Sequence, residues 1–407
     1  MTDRSFMRRA FELAARGTGT VSPNPAVGAV LVRDGTIIGE GFHAYYGGPH
    51  AESECIRDAA RRGHDARGAT MYCTLEPCSF RSPCKHNPPC TETLIEAGIA
   101  RLVIAARDPN PAVAGNGVEI LRDAGIQVAC GLMEQQAIDR DEGYFLSAVS
   151  GRPFVHLKWA QSLNGRIAKA GGGPTTISGA GARAHAHGIR AAVDAILVGR
   201  TTVEADDPQL TVRYRQPQNT ARTPLLVVID PQLLSCPEAQ VFASPDRAMI
   251  FVDSAAAAGK RSKFKERGVT VIALRPESDG RFAVRQVLDA LYARGVRSVL
   301  VEGGAETHRL FLASGVWDRL TVYLGSVLLD GDLVPARAEC PSSYSEGLAH
   351  RVFVPLDDTV CVTGLNPNSA RRRRQLFWRE TELTGGGPAR SVSEKEKEPR
   401  YVHRFGA

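Results

Sequence analysis

Thr70-Met71-Tyr72-Cys73-Thr74-Leu75-Glu76-Pro77-Cys78 decides the fold of the first part of this chain, because it joins a β-rich run to a Pro-Cys pair. It follows one predicted helix, Ala51–Arg62, and precedes another, Thr91–Ala97. His50 stands just before the first helix and Cys90 just before the second. Free N–H groups at helix N-termini stabilise thiolates and oxyanions. The alternation of helices and strands predicts an α/β sheet with helices on its faces.

One imidazole and two thiolates predict a hydrolytic zinc site with the ligands His50, Cys78 and Cys90. Three protein ligands leave the fourth position of the metal open for water, as catalytic sites require. The metal lowers the pKa of that water to about 7. Glu52, two residues after His50, is placed to carry its proton. The His-x-Glu pattern with later Pro-Cys pairs is typical of zinc-dependent nucleobase deaminases.

Two other interpretations of the same cysteines stay open at this point. Each cysteine can be a small buried hydrophobe, since free cysteine is among the most buried residue types. A structural site with four ligands can use Cys84 or His86, but Glu52 would then have no role. Cys84 is also an alternative to Cys90 as the third ligand. Cys90 is preferred because a predicted helix begins directly after it.

Composition and charge narrow the class of protein. The 407 residues suggest two or three domains, and the 43% hydrophobic content is enough for sizeable cores. Five of the six net positive charges lie in residues 366–407, which carry ten Lys and Arg against five Glu. The rest of the chain is therefore not a basic nucleic-acid-binding surface. The sequence has neither an 18-residue apolar run nor an apolar signal core, which predicts a cytoplasmic protein without a membrane partner.

The second half begins with a predicted linker, Gly151-Arg152-Pro153, and continues as a further α/β series. Leu300-Val301-Glu302-Gly303-Gly304-Ala305-Glu306-Thr307 joins a strand to a helix through a Gly-Gly turn, a geometry that suits a dinucleotide phosphate. The Gly-x-Gly-x-x-Gly motif is absent, which argues against a Rossmann fold. We therefore predict units over 1–148 and 152–365, and a disordered basic tail over 366–407.

The chain resembles the bifunctional deaminase/reductase family of riboflavin biosynthesis. The resemblance implies a cytidine-deaminase-like three-layer domain followed by a dihydrofolate-reductase-like α/β domain. It carries the zinc ligands to His50, Cys78 and Cys90, the proton shuttle to Glu52, and pyrimidine contacts to Asn24 and His43. The first-half motifs that carry it are Pro23-Asn24-Pro25-Ala26-Val27-Gly28, Gly41-Phe42-His43, Pro49-His50-Ala51-Glu52, Thr74-Leu75-Glu76-Pro77-Cys78-Ser79, Pro88-Pro89-Cys90-Thr91, Asp108-Pro109-Asn110-Pro111 and Gly115-Asn116-Gly117.

In the second half the resemblance implies NADPH-dependent reduction of a phosphoribosyl group to a ribityl group. It rests on Lys158–Ala168, Leu197–Arg213 and Leu300–Thr307. From residue chemistry, Lys158 and Glu302 can polarise the sugar carbonyl and manage its proton, and Arg190 and Arg213 can hold the phosphate. The implied positions are Ala160, Thr202, Asp206, Gly304, Ala305, Glu306 and Thr307 for NADPH, and Lys158, Arg190, Leu210, Arg213 and Glu302 for the substrate.

The sequence departs from the family pattern in three places that bear on the cofactor. Thr176 cannot stack on a ring, Pro174 has no N–H donor, and Pro231 replaces a typical serine. The predicted partner is a small phosphorylated pyrimidine, with no nucleic acid, and a homo-oligomer is possible. Two other readings remain: a deaminase for another nucleobase with a degenerate second domain, and a non-catalytic interaction protein stabilised by zinc.

Overall fold

The computed structural model describes residues 2–81, 88–110, 113–169, 175–213, 223–256, 258–330, 333–335 and 347–377. The chain divides into two compact units, one built mainly from Met1–Val149 and the other from Ser150–Pro217 and Ala221–Arg371. Among the described residues, no helix combines the length and the apolar character that a membrane crossing requires.

A five-stranded sheet with the order β2-β1-β3-β4-β5 forms the centre of the first unit. Strand β1 runs antiparallel to β2 and β3, whereas β3, β4 and β5 are parallel. Because the carboxyl ends of parallel strands meet at one edge, residues that follow β3 and β4 are brought together there. The strands are Gly28–Arg33, Thr36–Phe42, Thr70–Leu75, Arg101–Ala106 and Gln127–Cys130 (β1–β5).

Helices pack on this sheet through apolar faces. Ala51, Cys55 and Ala59 of α2 lie in one buried cluster with residues of β1, β3 and β4. Helix α1 packs closely on β1, since a Cβ on Gly28 would lie 2.0 Å from the Ala10 carbonyl oxygen. The helices are Asp3–Ala15, Ala51–Arg61, Cys90–Glu96, Asn116–Asp123, Glu134–Arg140 and Glu142–Ser150 (α1–α6).

The second unit contains a nine-stranded sheet with the order β11-β10-β9-β8-β12-β6-β13-β16-β15. All pairs from β11 to β13 are parallel, and the hairpin β15–β16 adds two antiparallel strands beside β13. The strands of the second unit are Phe154–Gln161, Arg166–Lys169, Ala195–Gly199, Leu225–Ile229, Ala248–Asp253, Thr270–Leu274, Ser298–Val301, Arg319–Gly325, Leu333–Pro335, Ala349–Leu356 and Thr359–Leu365 (β6–β16). Of these, β7 and β14 form a separate antiparallel pair outside the nine-stranded sheet. The helices are Ala180–Ala191, Arg200–Asp206, Ala258–Glu266, Val284–Tyr292, Ala305–Ser314 and Pro367–Arg374 (α7–α12).

Asp318 connects the first and last segments of this second unit. Its carboxylate accepts two hydrogen bonds from the Arg152 guanidinium, at 2.6 and 2.8 Å, and one from the Ser369 hydroxyl at 2.6 Å. Its carbonyl oxygen accepts from the Asn366 N–H at 2.8 Å. Arg152, Asp318 and Ser369 are all at most 3% exposed, so the charged pair is compensated in the interior.

Two predictions made from composition are therefore wrong in part. Arg152, expected in a linker, is a buried anchor. The disordered tail expected from residue 366 begins with the buried Asn366 and helix α12, because the Asn366 N–H and the Ser369 hydroxyl both donate to Asp318. Residues 378–407 of that tail lie outside the described residues.

Candidate active sites

Three element ends place the predicted zinc ligands together. His50 is the N-cap of α2, Cys78 follows β3 by three residues, and Cys90 is the first residue of α3. His50 Nδ1 lies 3.2 Å from Cys90 Sγ and 3.5 Å from Cys78 Sγ. The Cys90 N–H donates to Cys78 Sγ at 3.3 Å.

This donor set fits zinc. Zn–S bonds of about 2.3 Å and Zn–N bonds of about 2.0–2.1 Å at tetrahedral angles separate sulfur from nitrogen by about 3.5 Å. The two separations between His50 Nδ1 and the cysteine sulfurs, 3.2 and 3.5 Å, agree with that sulfur–nitrogen distance. The three ligand atoms all lie within 4.8 Å of one another. The rival ligands Cys84 and His86 lie outside the described residues.

Glu52 lies in the first turn of α2, two residues after His50, and is 3% exposed. Burial raises the pKa of its carboxyl above the ordinary value, and His50 and Cys90 act in the opposite direction. A buried carboxyl with a raised pKa beside these three ligands is suited to accept and return a proton.

His43 and Asn24 form a hydrogen-bonded pair beside the ligands. The His43 ring is 5.1 Å from the His50 ring, and its Nδ1 lies 2.9 Å from the Pro49 carbonyl oxygen. Its Nε2 lies 3.1 Å from Asn24 Nδ2. Since burial lowers the pKa of His43, we assign a neutral ring that donates from Nδ1 and accepts from the Asn24 amide at Nε2.

Cys73 shows that the buried-hydrophobe interpretation holds for one of the clustered cysteines. It is fully buried in the core beneath α2, and burial raises the pKa of its thiol well above the ordinary value. Glu76, quoted in the sequence only as part of a motif, is instead a buried acceptor of several backbone N–H groups. The Glu-Pro-Cys sequence followed by Gly115-Asn116-Gly117 was the signal that could have pointed to it.

In the second unit, Lys158, Arg190 and Glu302 form one largely buried charge cluster. Glu302 Oε1 accepts from Arg190 Nε at 2.5 Å, and its Oε2 accepts from Arg190 Nη2 at 2.6 Å and from Lys158 Nζ at 3.2 Å. Burial raises the pKa of Glu302, but the two cations outweigh it and hold the pKa at about 2. Glu302 is therefore a carboxylate at neutral pH and cannot itself donate a proton, which narrows its expected role in the proton chemistry.

The other predicted substrate residues lie around the same helix, α7. Arg190 Nη1 donates to the Thr211 carbonyl oxygen at 3.1 Å, and the Arg213 N–H donates to His187 Nδ1 at 3.2 Å. Burial, reinforced by Arg190 and Arg213, lowers the pKa of His187 to about 4. Leu210 is 4% exposed and holds a left-handed backbone with φ +49°. The segment of Leu210, Thr211 and Arg213 is thus fixed beside the Arg190–Glu302 pair.

The Gly-Gly turn lies at the carboxyl edge of β8, β12 and β6. A Cβ on Gly303 would stand 2.6 Å from Val198 Cβ, and one on Gly304 would stand 3.1 Å from Thr202 Oγ1. Gly304 has φ +69° and is the N-cap of α11, which begins with Ala305, Glu306 and Thr307. Ala160 lies near the carboxyl end of β6, and Asp206 ends α8 with a pKa raised by burial. The predicted cofactor residues therefore lie at the ends of parallel strands, where dinucleotides bind in α/β sheets. Pro174, one of the three departures from the family pattern, lies outside the described residues.

Comparisons with known proteins decide the family. The model of the cytidine and deoxycytidylate deaminase zinc-binding region matches residues 1–106, and that of the RibD C-terminal domain matches residues 153–337. The riboflavin biosynthesis protein RibD of Aquifex aeolicus is 39% identical over 81% of this chain and 90% of its own length, and that of Escherichia coli is 38% identical over 86% and 94%. The chain belongs to the RibD family.

A solved RibD-type structure gives the same result. The Thermotoga maritima diaminohydroxyphosphoribosylaminopyrimidine deaminase/5-amino-6-(5-phosphoribosylamino)uracil reductase has a TM-score of 0.76 and 36% identity over 90% of this chain and 98% of its own. The RibD fold pairs a cytidine-deaminase-like unit with a dihydrofolate-reductase-like unit, which confirms the predicted fold class. The chain is a bifunctional enzyme of riboflavin biosynthesis, with a zinc-binding deaminase and an NADPH-using reductase. A deaminase without a reductase and a non-catalytic protein are not favoured.

Proposed function

We propose that the first unit hydrolyses the 2-amino group of 2,5-diamino-6-(5-phosphoribosylamino)pyrimidin-4-one. The observation that supports this best is the group His50, Cys78 and Cys90 with the buried Glu52 on the same helix as His50. A zinc ion held by these three side chains would supply a water whose pKa is near neutral. Glu52 would take a proton from the attacking water as its oxygen bonds to ring carbon C2, and would return that proton to the 2-amino group, so that the C–N bond breaks and ammonia leaves.

Asn24 and His43 orient the pyrimidine in this proposal. Each is fixed by the hydrogen bond to the other, and His43 is fixed again by the Pro49 carbonyl. The Nε2 lone pair of the neutral His43 ring accepts from the Asn24 amide, so this ring does not compete with Glu52 for protons. A polar pair held in one geometry favours one orientation of the ring, which is how preorganised sites raise rates.

In the second unit we infer that the Lys158 ammonium would polarise the sugar carbonyl and protonate its oxygen, with bound NADPH as the source of the hydride. Glu302, as a carboxylate with a pKa of about 2, positions Lys158 by their 3.2 Å contact. Ala160, Thr202, Asp206 and the turn from Gly304 to Thr307 would hold NADPH, with the pyrophosphate at the N-terminus of α11.

Of the two arginines, we assign Arg213 rather than Arg190 as the main ligand of the substrate phosphate. Arg190 already donates from Nε, Nη1 and Nη2 to Glu302 and Thr211. Arg213 has an exposed side chain, and its forked donors suit a phosphate. Leu210 lies in the same segment and would contact the sugar or base. The cytoplasmic location, a homo-oligomer and the lack of a nucleic-acid partner stay predictions.

The test supplies the diamino-pyrimidinone phosphate with zinc and NADPH and follows ammonia release and NADPH oxidation separately. We expect both, with ammonia release independent of NADPH. No ammonia would reject the substrate proposed for the first unit. Ammonia without NADPH oxidation, also when 5-amino-6-(5-phosphoribosylamino)uracil is supplied directly, would reject only the assignments in the second.

A further inference from the structure

We propose that Glu76 is a positioning residue for the metal centre, whose carboxylate fixes the Pro77-Cys78 peptide so that the Cys78 thiolate is in place before the metal binds. The inference rests on the zinc assignment proposed above. Glu76 stands two residues before Cys78 and is 2% exposed. A carboxylate in the interior is costly unless its oxygens are satisfied, so its partners indicate its role.

Both oxygens of Glu76 accept backbone N–H groups from the segment that leads into α4. Oε1 accepts from Gly115 at 2.9 Å and from Gly117 at 3.1 Å. Oε2 accepts from Gly115 at 3.0 Å and from Asp108 at 3.3 Å. A negative charge at a helix N-terminus is favourable because it meets the unpaired N–H groups there.

This carboxylate replaces a local cap. The N-cap of α4 is Gly115, with φ +90° and no side chain that could cap the helix. The acceptor instead comes from residue 76, far earlier in the sequence. The helix can therefore be capped only when the strand end that carries Pro77-Cys78 is in its native place, which couples α4 to the metal ligand.

The capped helix in turn lies against Pro77. A Cβ on Gly117 would stand 2.4 Å from the Pro77 carbonyl oxygen. From α3, the Thr91 N–H donates to the Cys78 carbonyl oxygen at 3.2 Å, and the Cys90 N–H donates to Cys78 Sγ at 3.3 Å. Cys78 is thus held between the starts of two helices, and Glu76 supplies the link to α4.

The test replaces Glu76 by Gln in the full chain and measures zinc affinity by competition with a chromogenic chelator. Gln keeps the shape but turns an N–H group towards N–H donors. Loss of a residue that orients a metal ligand lowers metal affinity by about 10- to 100-fold. We expect a loss in that range for Glu76→Gln, although its carboxylate acts on Cys78 through α4 rather than by a direct hydrogen bond. The matched control is Glu119→Gln, because Glu119 is an exposed acid in the first turn of the same helix; its zinc affinity should stay within about twofold of the parent.

The melting temperature of the metal-free protein separates positioning from folding. A Glu76→Gln protein that melts lower but binds zinc as tightly as the parent would overturn the proposal, since the residue would then be merely structural. If Glu76→Gln does not fold, Gly117→Ala decides: it keeps the carboxylate but forces Pro77 away, and unchanged zinc affinity would overturn the proposal. A His50→Ala protein that kept full zinc affinity would instead reject the metal assignment itself.

Discussion

Arg190 and Glu302 form a two-pronged ion pair, with Nε to Oε1 at 2.5 Å and Nη2 to Oε2 at 2.6 Å. Their side chains are only 14% and 5% exposed. The parallel pair of hydrogen bonds matches the planar guanidinium fork to the carboxylate plane. Because Lys158 shares the same carboxylate, the geometry of this pair also sets the position of the ammonium proposed to act on the sugar.

Replacing Arg190 by Lys should weaken the reductase and leave the deaminase unchanged. A lysine cannot make both bonds, so Glu302 would lose its fixed orientation. We expect NADPH oxidation to fall at least about 10-fold, the rate equivalent of about 1.4 kcal/mol. Arg183→Lys on the same helix is the control, since Arg183 donates to the Ser178 carbonyl rather than to Glu302. Equal rates in the two variants would contradict the prediction.

The same pair predicts an acid dependence of stability. The pKa of Glu302 is lowered to about 2 from its ordinary 4.5, so its contribution to the free energy of unfolding is complete above about pH 4.5 and is lost as the pH falls towards 2. Arg190→Lys should raise the folded-state pKa of Glu302 and shrink that contribution. Denaturant titrations at pH 7 and pH 3 measure the difference. If the Arg190→Lys protein loses as much stability as the parent between these pH values, the electrostatic account is wrong.

Glu52→Gln should stop deamination without emptying the metal site. The amide cannot carry a proton, and removal of a positioned acid-base group costs about 10²- to 10⁴-fold. Ammonia release measures the loss, and metal analysis should still find zinc at the parent level. Glu54→Gln, on the same helix and paired with Arg57, should keep ammonia release near the parent rate. A Glu52→Gln enzyme that releases ammonia normally would remove Glu52 from the mechanism.

The choice between Cys90 and Cys84 can be settled by metal content. Cys90 Sγ lies 3.2 Å from His50 Nδ1, so Cys90→Ser should abolish both bound zinc and ammonia release, while NADPH oxidation with the deaminated substrate persists. Cys84→Ser should leave all three intact. The reverse pattern, with zinc lost only from Cys84→Ser, would make Cys84 the third ligand.

Asp318→Asn should destabilise the protein through the second unit. It leaves the buried Arg152 guanidinium without its charge partner, and breaking a buried pair from one side costs about 3–5 kcal/mol. Denaturant unfolding followed by tryptophan fluorescence measures the change. Asp279→Asn, in an exposed pair with Arg281, is the control and should leave the free energy of unfolding close to that of the parent. Similar losses in the two variants would show that burial does not matter here.

Sequence predicted the parts of the molecule that depend on short-range pattern. The β-rich run before Cys78 and the helix starts at His50 and Cys90 fix the metal ligands locally, so the group could be foreseen. The roles of Arg152, Glu76 and Asn366 could not, because each depends on a partner distant in the chain. Polar residues in Gly- and Pro-containing stretches look solvated, and only tertiary contacts show that Arg152 and Asn366 are buried. The hydrogen bonds that keep Glu302 ionised could not be predicted from the sequence either.

The contact of Asp318 with both Arg152 and Ser369 has a consequence for any shortened form of this chain. A stop after Leu365 would retain every strand of the second sheet, yet it would remove Ser369 and the Asn366 N–H from Asp318. A boundary drawn at the last strand would therefore deprive the buried Asp318 of one donor to its carboxylate and one donor to its carbonyl oxygen. The reductase unit therefore ends within α12, because the residues needed to complete the hydrogen bonds of Asp318 extend beyond the last strand of its sheet.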